Sequence, residues 1–208
     1  MGKLYNFGHI FYHSIPIKEH QLVDYLLRKN NRYLLEECLL IKIVQKPTKI
    51  NKRTKYKAIL AVGDKKGHIG IGEDSDKEKD IALKKAIIKA KKNIIPIRRG
   101  YFQNNIGEPH TIYRKIIGEC GGIKLELIPA KRGTGIVGVN TSKKIFELCR
   151  IEDIIIKTFG KSNEKENFIK AIYNALYKSY KYPTLDLQLI RCIRENPFSE
   201  YKDDLKRY

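Results

Sequence analysis

Two long stretches of this 208-residue chain lack any acidic side chain. One runs from Cys38 to Gly63 and holds Lys42, Lys46, Lys49, Lys52, Arg53, Lys55 and Lys57. The other runs from Ile81 to Gly107 and holds Lys84, Lys85, Lys89, Lys91, Lys92, Arg98 and Arg99. Together they carry +14 of a formal net charge of +19. Positive charge concentrated without counter-charge makes a local potential that holds a polyanion, and a phosphate backbone is the first partner to consider.

Other absences narrow the class. No apolar run approaches the ~18 residues that a membrane-spanning helix needs. Residues 1–5 lack the apolar core of a signal peptide. The basic stretches sit among turn and strand signals, not on an amphipathic helix with bulky anchors, which argues against a membrane surface as partner. Cys38, Cys120, Cys149 and Cys192 form no CxxC pair and have no neighbouring histidine. That spacing argues against a zinc site or a disulfide framework and fits reduced thiols in the cytosol. His9, His13, His20, His68 and His110 have no acid or nucleophile at a recognisable catalytic spacing. His68 in a hairpin and His110 after Pro109 read as structural or surface residues. The expectation is a binding protein, not an enzyme, without cofactor or metal.

With 42% hydrophobic and 31% charged residues, the composition is globular with a charged exterior, and the length suffices for one large domain or two small ones. The chain divides near residues 96–109. Pro16 to Glu19 opens a short helix with Leu22, Tyr25, Leu26 and Leu27 on its buried side. Residues 39–45 read as a strand, and Pro47 and Asn51 punctuate a basic outward loop with Lys46, Lys49, Lys52 and Arg53. Residues 56–62 and 68–72 read as the next strands. Gly70 and Gly72 share one face by the period of two, which suits either a closely packed element or backbone approach to a ligand.

Ser75 and Glu78 have capping-box spacing ahead of a helix with Ile81, Ala82, Ala86, Ile87, Ala90 and Ile94 as its apolar stripe, ended by Pro96. Lys84, Lys85, Lys89, Lys91 and Lys92 fill the opposite face, and beyond Asp80 ahead of Lys84 they have no acidic partner at i±4, so something outside the helix must offset their repulsion. The second half reads as strands at 112–117 and 123–128, a helix at 142–149, a strand at 153–158, and a helix at 164–180 with Phe168, Ile172, Ala175, Leu176 and Tyr180 inward. From Pro183 onward the chain reads as an irregular extension.

Two motifs stand out. Gly133 to Gly138 matches GxGxxG, but 129–132 separate it from the preceding strand and no βαβ unit comes before it, which argues against a dinucleotide. Beside Lys131 and Arg132, the glycines and Thr134 suit a nucleic-acid phosphate instead. In residues 98–105, Arg98 and Arg99 can grip phosphates, Gly100 permits close approach, and Tyr101 and Phe102 either stack on unpaired bases or plug a seam between domains.

The chain resembles the universal small-subunit ribosomal protein family called S-five in bacteria and S-two in eukaryotes. The resemblance runs through Ser14 to Glu19, Arg53 to Ala58, Val62 to Asp64 with Gly67 to Gly72, Ile95 to Tyr101, Gly107 to Thr111 and Ile128 to Gly135. The first and fourth of these look eukaryotic or archaeal. It implies an α+β protein of two domains. The first would be a double-stranded-RNA-binding-like, three-stranded sheet with a helix, and the second an α/β domain with a left-handed βαβ crossover. Divided accordingly, residues 1–37 are an extension with a short helix, 38–103 the first domain, 104–182 the second and 183–208 a C-terminal extension.

The family is a structural part of the small subunit, near the mRNA entrance and decoding region. For this chain the resemblance implies contacts with ribosomal RNA and neighbouring small-subunit proteins, support of assembly and accuracy, and a cytoplasmic location with assembly beginning in the nucleolus. The RNA-facing set expected from residues and resemblance is Lys46, Lys49, Lys52, Arg53, Lys55, Lys57, Lys84, Lys85, Lys91, Lys92, Arg98, Arg99, Tyr101, Lys131, Arg132, Gly133 and Thr134. An arginine-glycine-rich amino-terminal extension common in the eukaryotic branch is missing. The competing readings are a free-standing double-stranded-RNA adaptor and a nucleotide-dependent factor.

Overall fold

The computed structural model describes residues 20–21, 24, 33–49, 51–103 and 107–181. Strands β1 (Leu35–Pro47), β2 (Lys52–Gly63) and β3 (His68–Asp76) form an antiparallel meander, followed by helix α1 (Lys79–Lys92). A short fourth strand, β4 (Ile94–Pro96), returns along β3, so the order is β1-β2-β3-β4 and the sheet has one strand more than expected.

The period of two sorts the side chains of β3. Ile69, Ile71 and Glu73 face one way, and Gly70, Gly72, Asp74 and Asp76 face the other. Helix α1 lies on the glycine face. A Cβ on Gly70 would stand 2.2 Å from the Ala90 carbonyl oxygen, and one on Gly72 would stand 2.2 Å from that of Ala86. Opposite them Ala82, Ala86 and Ala90 are fully buried. Of the two readings of these glycines, close packing is the one realised. The helix sits so near the strand that only methyl groups fit beneath it, which leaves Ile81 on the rim at 39% exposure instead of in the apolar stripe.

Helix α1 also starts later and ends earlier than the capping box and Pro96 suggest. Ser75 lies within β3, Glu78 is the N-cap without a side-chain cap bond, and Asn93 closes the helix before Ile94 enters β4. The strand prevails because Asp74 and Asp76 gain partners on the α1 face: Asp74 pairs with Lys89 at 3.0 Å, and Asp76 pairs with Lys85.

The basic loop expected at 46–53 is mostly strand. β1 and β2 stay in register out to Pro47 opposite Lys52, and the Thr48 amide donates to the Asn51 carbonyl at 3.0 Å across the tip. Because β3 pairs with β2 only as far as Tyr56, residues 44–47 and 52–55 project as a two-stranded arm. Proline at the end of an edge strand removes no ladder bond there.

A short ribbon follows, β5 (Arg99–Gly100) against β6 (Thr111–Ile112). Then come β7 (Ile116–Cys120), β8 (Ile123–Pro129), β9 (Ile136–Val137), α2 (Asn140–Cys149), β10 (Ile154–Gly160) and α3 (Lys165–Lys181). The sheet order is β7-β8-β10-β9, antiparallel except for β9 and β10, which run parallel through the α2 crossover. The single strand expected at 112–117 is broken at residues 113–115. Glycine facing alanine recurs here: a Cβ on Gly118 of β7 would stand 2.2 Å from the Ala171 carbonyl oxygen of α3. Phe168, Ile172, Ala175 and Leu176 are buried as expected, but Tyr180 is 37% exposed. Lys178 already reaches the Ile117 carbonyl near the start of β7, so the last turn overhangs the sheet.

The isoleucine face of the first sheet does not meet water. Ile59, Ile69, Ile95 and Ile97 belong to the same buried cluster as Leu125, Leu127, Phe146, Ile169 and Ile172 of the second domain. Helix α2 closes on β2, where a Cβ on Gly63 would stand 2.7 Å from the Leu148 carbonyl oxygen. Among the described residues no helix is long and apolar enough to cross a membrane. The apolar residues expected on the short helix after Pro16, Cys192 and the extension after Pro183 lie outside the described residues.

Gly72→Ala forces α1 away from β3, and overpacking of this kind costs about 1–3 kcal/mol. The expected outcome is a thermal midpoint lowered by several degrees with the fold retained, read by circular dichroism. A midpoint equal to wild type would mean that the helix–strand distance is not limiting.

Candidate nucleic-acid interface

In an antiparallel pair, residues directly opposite share a face, and like charges there repel. β1 and β2 place two such basic pairs four residues apart. Lys42 opposes Lys57, and Lys46 opposes Arg53. The first pair is neutralised inside the molecule. Glu166 of α3 accepts from Lys57 Nζ at 2.8 Å and also pairs with Lys42, while Glu73 lies 3.5 Å from Lys57 and 2.8 Å from Lys170. Burial alone would push the Glu166 carboxyl up, but the bonds from Lys42 and Lys57 outweigh it and hold the acid below its ordinary range. Lys57 is therefore a bridge between domains, not an open cation.

The second pair has no such neighbour. Lys46, Lys49, Lys52, Arg53 and Lys55 are exposed and make no ion pair among the described residues. No acid occurs from Cys38 to Gly63 to provide one.

On α1, the repulsion expected among the lysines is offset from inside the protein. Lys85 pairs with Asp76, Lys89 with Asp74, and Lys91 with Asp24 at 3.0 Å and Glu36 at 3.5 Å. The acids that scanning at i±4 missed lie on the strand beneath, in β1 and in the chain before it. Lys84 and Lys92 are exposed and make no ion pair among the described residues.

The connector between domains is bolted into a junction. Asp64 organises the β2–β3 turn: its Oδ1 accepts the Lys66 amide at 2.8 Å and the His68 amide at 3.0 Å, and its Oδ2 lies 2.8 Å from His68 Nδ1. Burial would raise the Asp64 carboxyl, but these bonds and the His68 ring prevail and hold it at about 2. From the same turn the Lys65 amide donates to the Leu148 carbonyl at 3.0 Å, and the Gly67 carbonyl accepts the Ile97 amide at 2.7 Å. Arg99 reaches across to the carbonyls of Lys66 and Arg150 at 3.4 and 3.5 Å, at the seam of this junction. Arg98 lies over the Tyr113 ring, 4.3 Å from its centroid. Tyr101 is half-buried and donates its hydroxyl to the Gly107 carbonyl at 2.8 Å.

The glycine turn is exposed from Lys131 to Thr134, and Gly133 at φ +83° takes the left-handed position that glycine favours. Its amides are only in part available to a phosphate. The Thr134 amide donates to the Lys131 carbonyl at 3.2 Å, and that of Gly135 donates to Asp153 Oδ1 at 2.9 Å. Arg132 donates to the Glu108 carbonyl at 2.7 Å, whereas Lys131 makes no ion pair among the described residues. β9 intervenes between this turn and α2, so the glycines do not open the helix as a dinucleotide fingerprint requires.

Asp153 is itself held by buried His110, whose Nδ1 lies 2.8 Å from Asp153 Oδ2. Both histidines expected to stand alone thus have acids. The Asp64–His68 spacing across a turn was visible in sequence, but the 43-residue separation of His110 and Asp153 was not. Among the described residues no group of three or more His, Cys, Asp or Glu could hold a metal ion.

A two-domain α+β scaffold presenting an acid-free basic arm is the architecture of an RNA-binding structural protein, in which rigid sheets hold cations at fixed spacing. The sequence model of ribosomal protein S5, N-terminal domain, matches residues 34–98, and that of the S5 C-terminal domain matches residues 118–188. The chain belongs to the ribosomal protein S5 family: it is a small-subunit ribosomal protein, an RNA-binding structural component of the translation machinery.

Asp64 gives a pH test of the junction. Its stabilising contribution is complete above about 3.8, the unfolded value, and drains away as pH falls through about 2. Asp64→Asn should lower the melting temperature near neutral pH and flatten the loss of stability over that acid window. Parallel melting curves for wild type and variant would show that Asp64 does not hold the turn.

Proposed function

We propose that this chain is a structural constituent of the small ribosomal subunit that inserts its β1–β2 arm between ribosomal RNA phosphates. In this reading it works near the mRNA entrance and decoding region, contacts neighbouring small-subunit proteins, and supports assembly and accurate translation. It acts in the cytoplasm, with assembly beginning in the nucleolus. The observation that carries the reading is the Lys46–Arg53 pair. Two like charges face each other across strands and make no ion pair among the described residues, and an RNA phosphate between them would relieve their repulsion. The remaining RNA-facing set is Lys49, Lys52 and Lys55 on the arm, Lys84 and Lys92 on α1, Arg98 at the connector, and Lys131, Gly133 and Thr134 at the glycine turn. Lys57, Lys85, Lys91, Arg99 and Arg132 serve mainly to position them, and Tyr101 is the connector's internal strut.

Phosphate contacts release counterions, so the arm's contribution is read from salt dependence. Replacing Lys46 and Arg53 together by alanine should leave the melting temperature unchanged or slightly raised. It should also flatten the slope of log affinity for a small-subunit RNA fragment against log salt by roughly 1.5 to 2. An unchanged slope would remove the arm from the interface. In a sucrose gradient of cell lysate the protein should travel with small subunits and polysomes. Its absence there would favour a free-standing double-stranded-RNA adaptor.

A further inference from the structure

The aromatic side chain open to a nucleic acid at the connector is Tyr113, not Tyr101. The β5–β6 ribbon pairs Arg99 with Ile112 and Gly100 with Thr111, and one step along the same register Arg98 stands opposite Tyr113. The guanidinium lies over the ring with Cζ 4.3 Å from its centroid, and Tyr113 remains 55% exposed. The backbone beneath is fixed, because Gly100 presses against it: a Cβ at position 100 would stand 2.6 Å from Tyr113 Cα. Arg98 makes no hydrogen bond or ion pair among the described residues, so the edge of its planar fork keeps its donors available. The chain around the ring, from Pro109 to Gly118, carries Arg114 and Lys115 and no acid, although Lys115 pairs with Glu126 at 2.7 Å. A ring 55% exposed on a fixed backbone and a guanidinium with unspent donors suit a planar base attached to a phosphate.

Resting on the RNA-binding reading above, we propose that Arg98 and Tyr113 form a receptor for one unpaired RNA nucleotide, with the base stacked on the Tyr113 ring and the phosphate held by the edge of the Arg98 guanidinium. A paired base has no free face for the ring, so this site discriminates looped from fully duplex RNA, which the arm by itself does not.

The test uses the full chain and two synthetic RNAs of equal length, a hairpin with an unpaired loop and a blunt duplex, titrated at one salt concentration. Stacking strengths imply that Tyr113→Ala weakens hairpin binding by about fivefold to a hundredfold while duplex binding is retained. Tyr113→Phe, which keeps the ring, should bind both RNAs like wild type. Tyr113→Leu, which keeps apolar bulk without a π face, should lose hairpin affinity as the alanine variant does, and it guards against a packing defect in that variant. Equal binding of both RNAs by Tyr113→Ala and wild type, or an equal loss on both, overturns the proposal while leaving the arm's role intact. A wild-type chain that binds neither RNA overturns the RNA-binding reading itself.

Discussion

Helix α1 can lie against β3 only because no side chain stands between them, and much else follows from that contact. With glycine at 70 and 72 on the strand and alanine at 82, 86 and 90 on the helix, backbone meets backbone across the gap. The strand then carries its next two residues on that face, Asp74 and Asp76, directly beneath the helix lysines. The opposite face is left to isoleucine, and the second domain docks there. Gly118 against Ala171 in α3 is the same solution applied a second time.

The two domains share one core instead of being joined by a tether. Hydrophobic burial dominates that contact, but orientation is set by polar groups whose partners lie on the other side. Glu166 sits between Lys42 and Lys57, Lys170 holds Glu73, and the Tyr173 hydroxyl donates to the Asn93 carbonyl at 2.7 Å. Burial with Tyr177 nearby pushes the Tyr173 phenol up to about 12, so it stays a donor at any physiological pH. Such a junction fixes the spacing between the arm, the connector and the glycine turn.

Positive charge in this molecule is therefore of two kinds. Some lysines pair with acids of the same molecule, as Lys57, Lys85, Lys89 and Lys91 do. Others make no ion pair among the described residues, on the arm above all. The formal charge does not separate these classes. The cross-strand register does, since Lys42–Lys57 and Lys46–Arg53 look alike in sequence and differ only in whether α3 reaches them.

The sequence by itself determined the longer helices and the cores of the main strands, the glycine–alanine periodicity, the family and the polyanionic partner, because each rests on residues near one another in the chain. Period two in β3, the apolar stripe of α3 and the motifs from Ile95 to Tyr101 and from Ile128 to Gly135 are local patterns. Only the tertiary structure decided which cations remain open, that the 46–53 segment is an arm of paired strands, that Arg99 and Tyr101 brace a junction, and that Tyr113 stands over Arg98. Those outcomes depend on through-space pairs tens of residues apart, such as Lys57 with Glu166 and His110 with Asp153. An ion pair is made by proximity in the folded chain, and spacing along the sequence does not encode it.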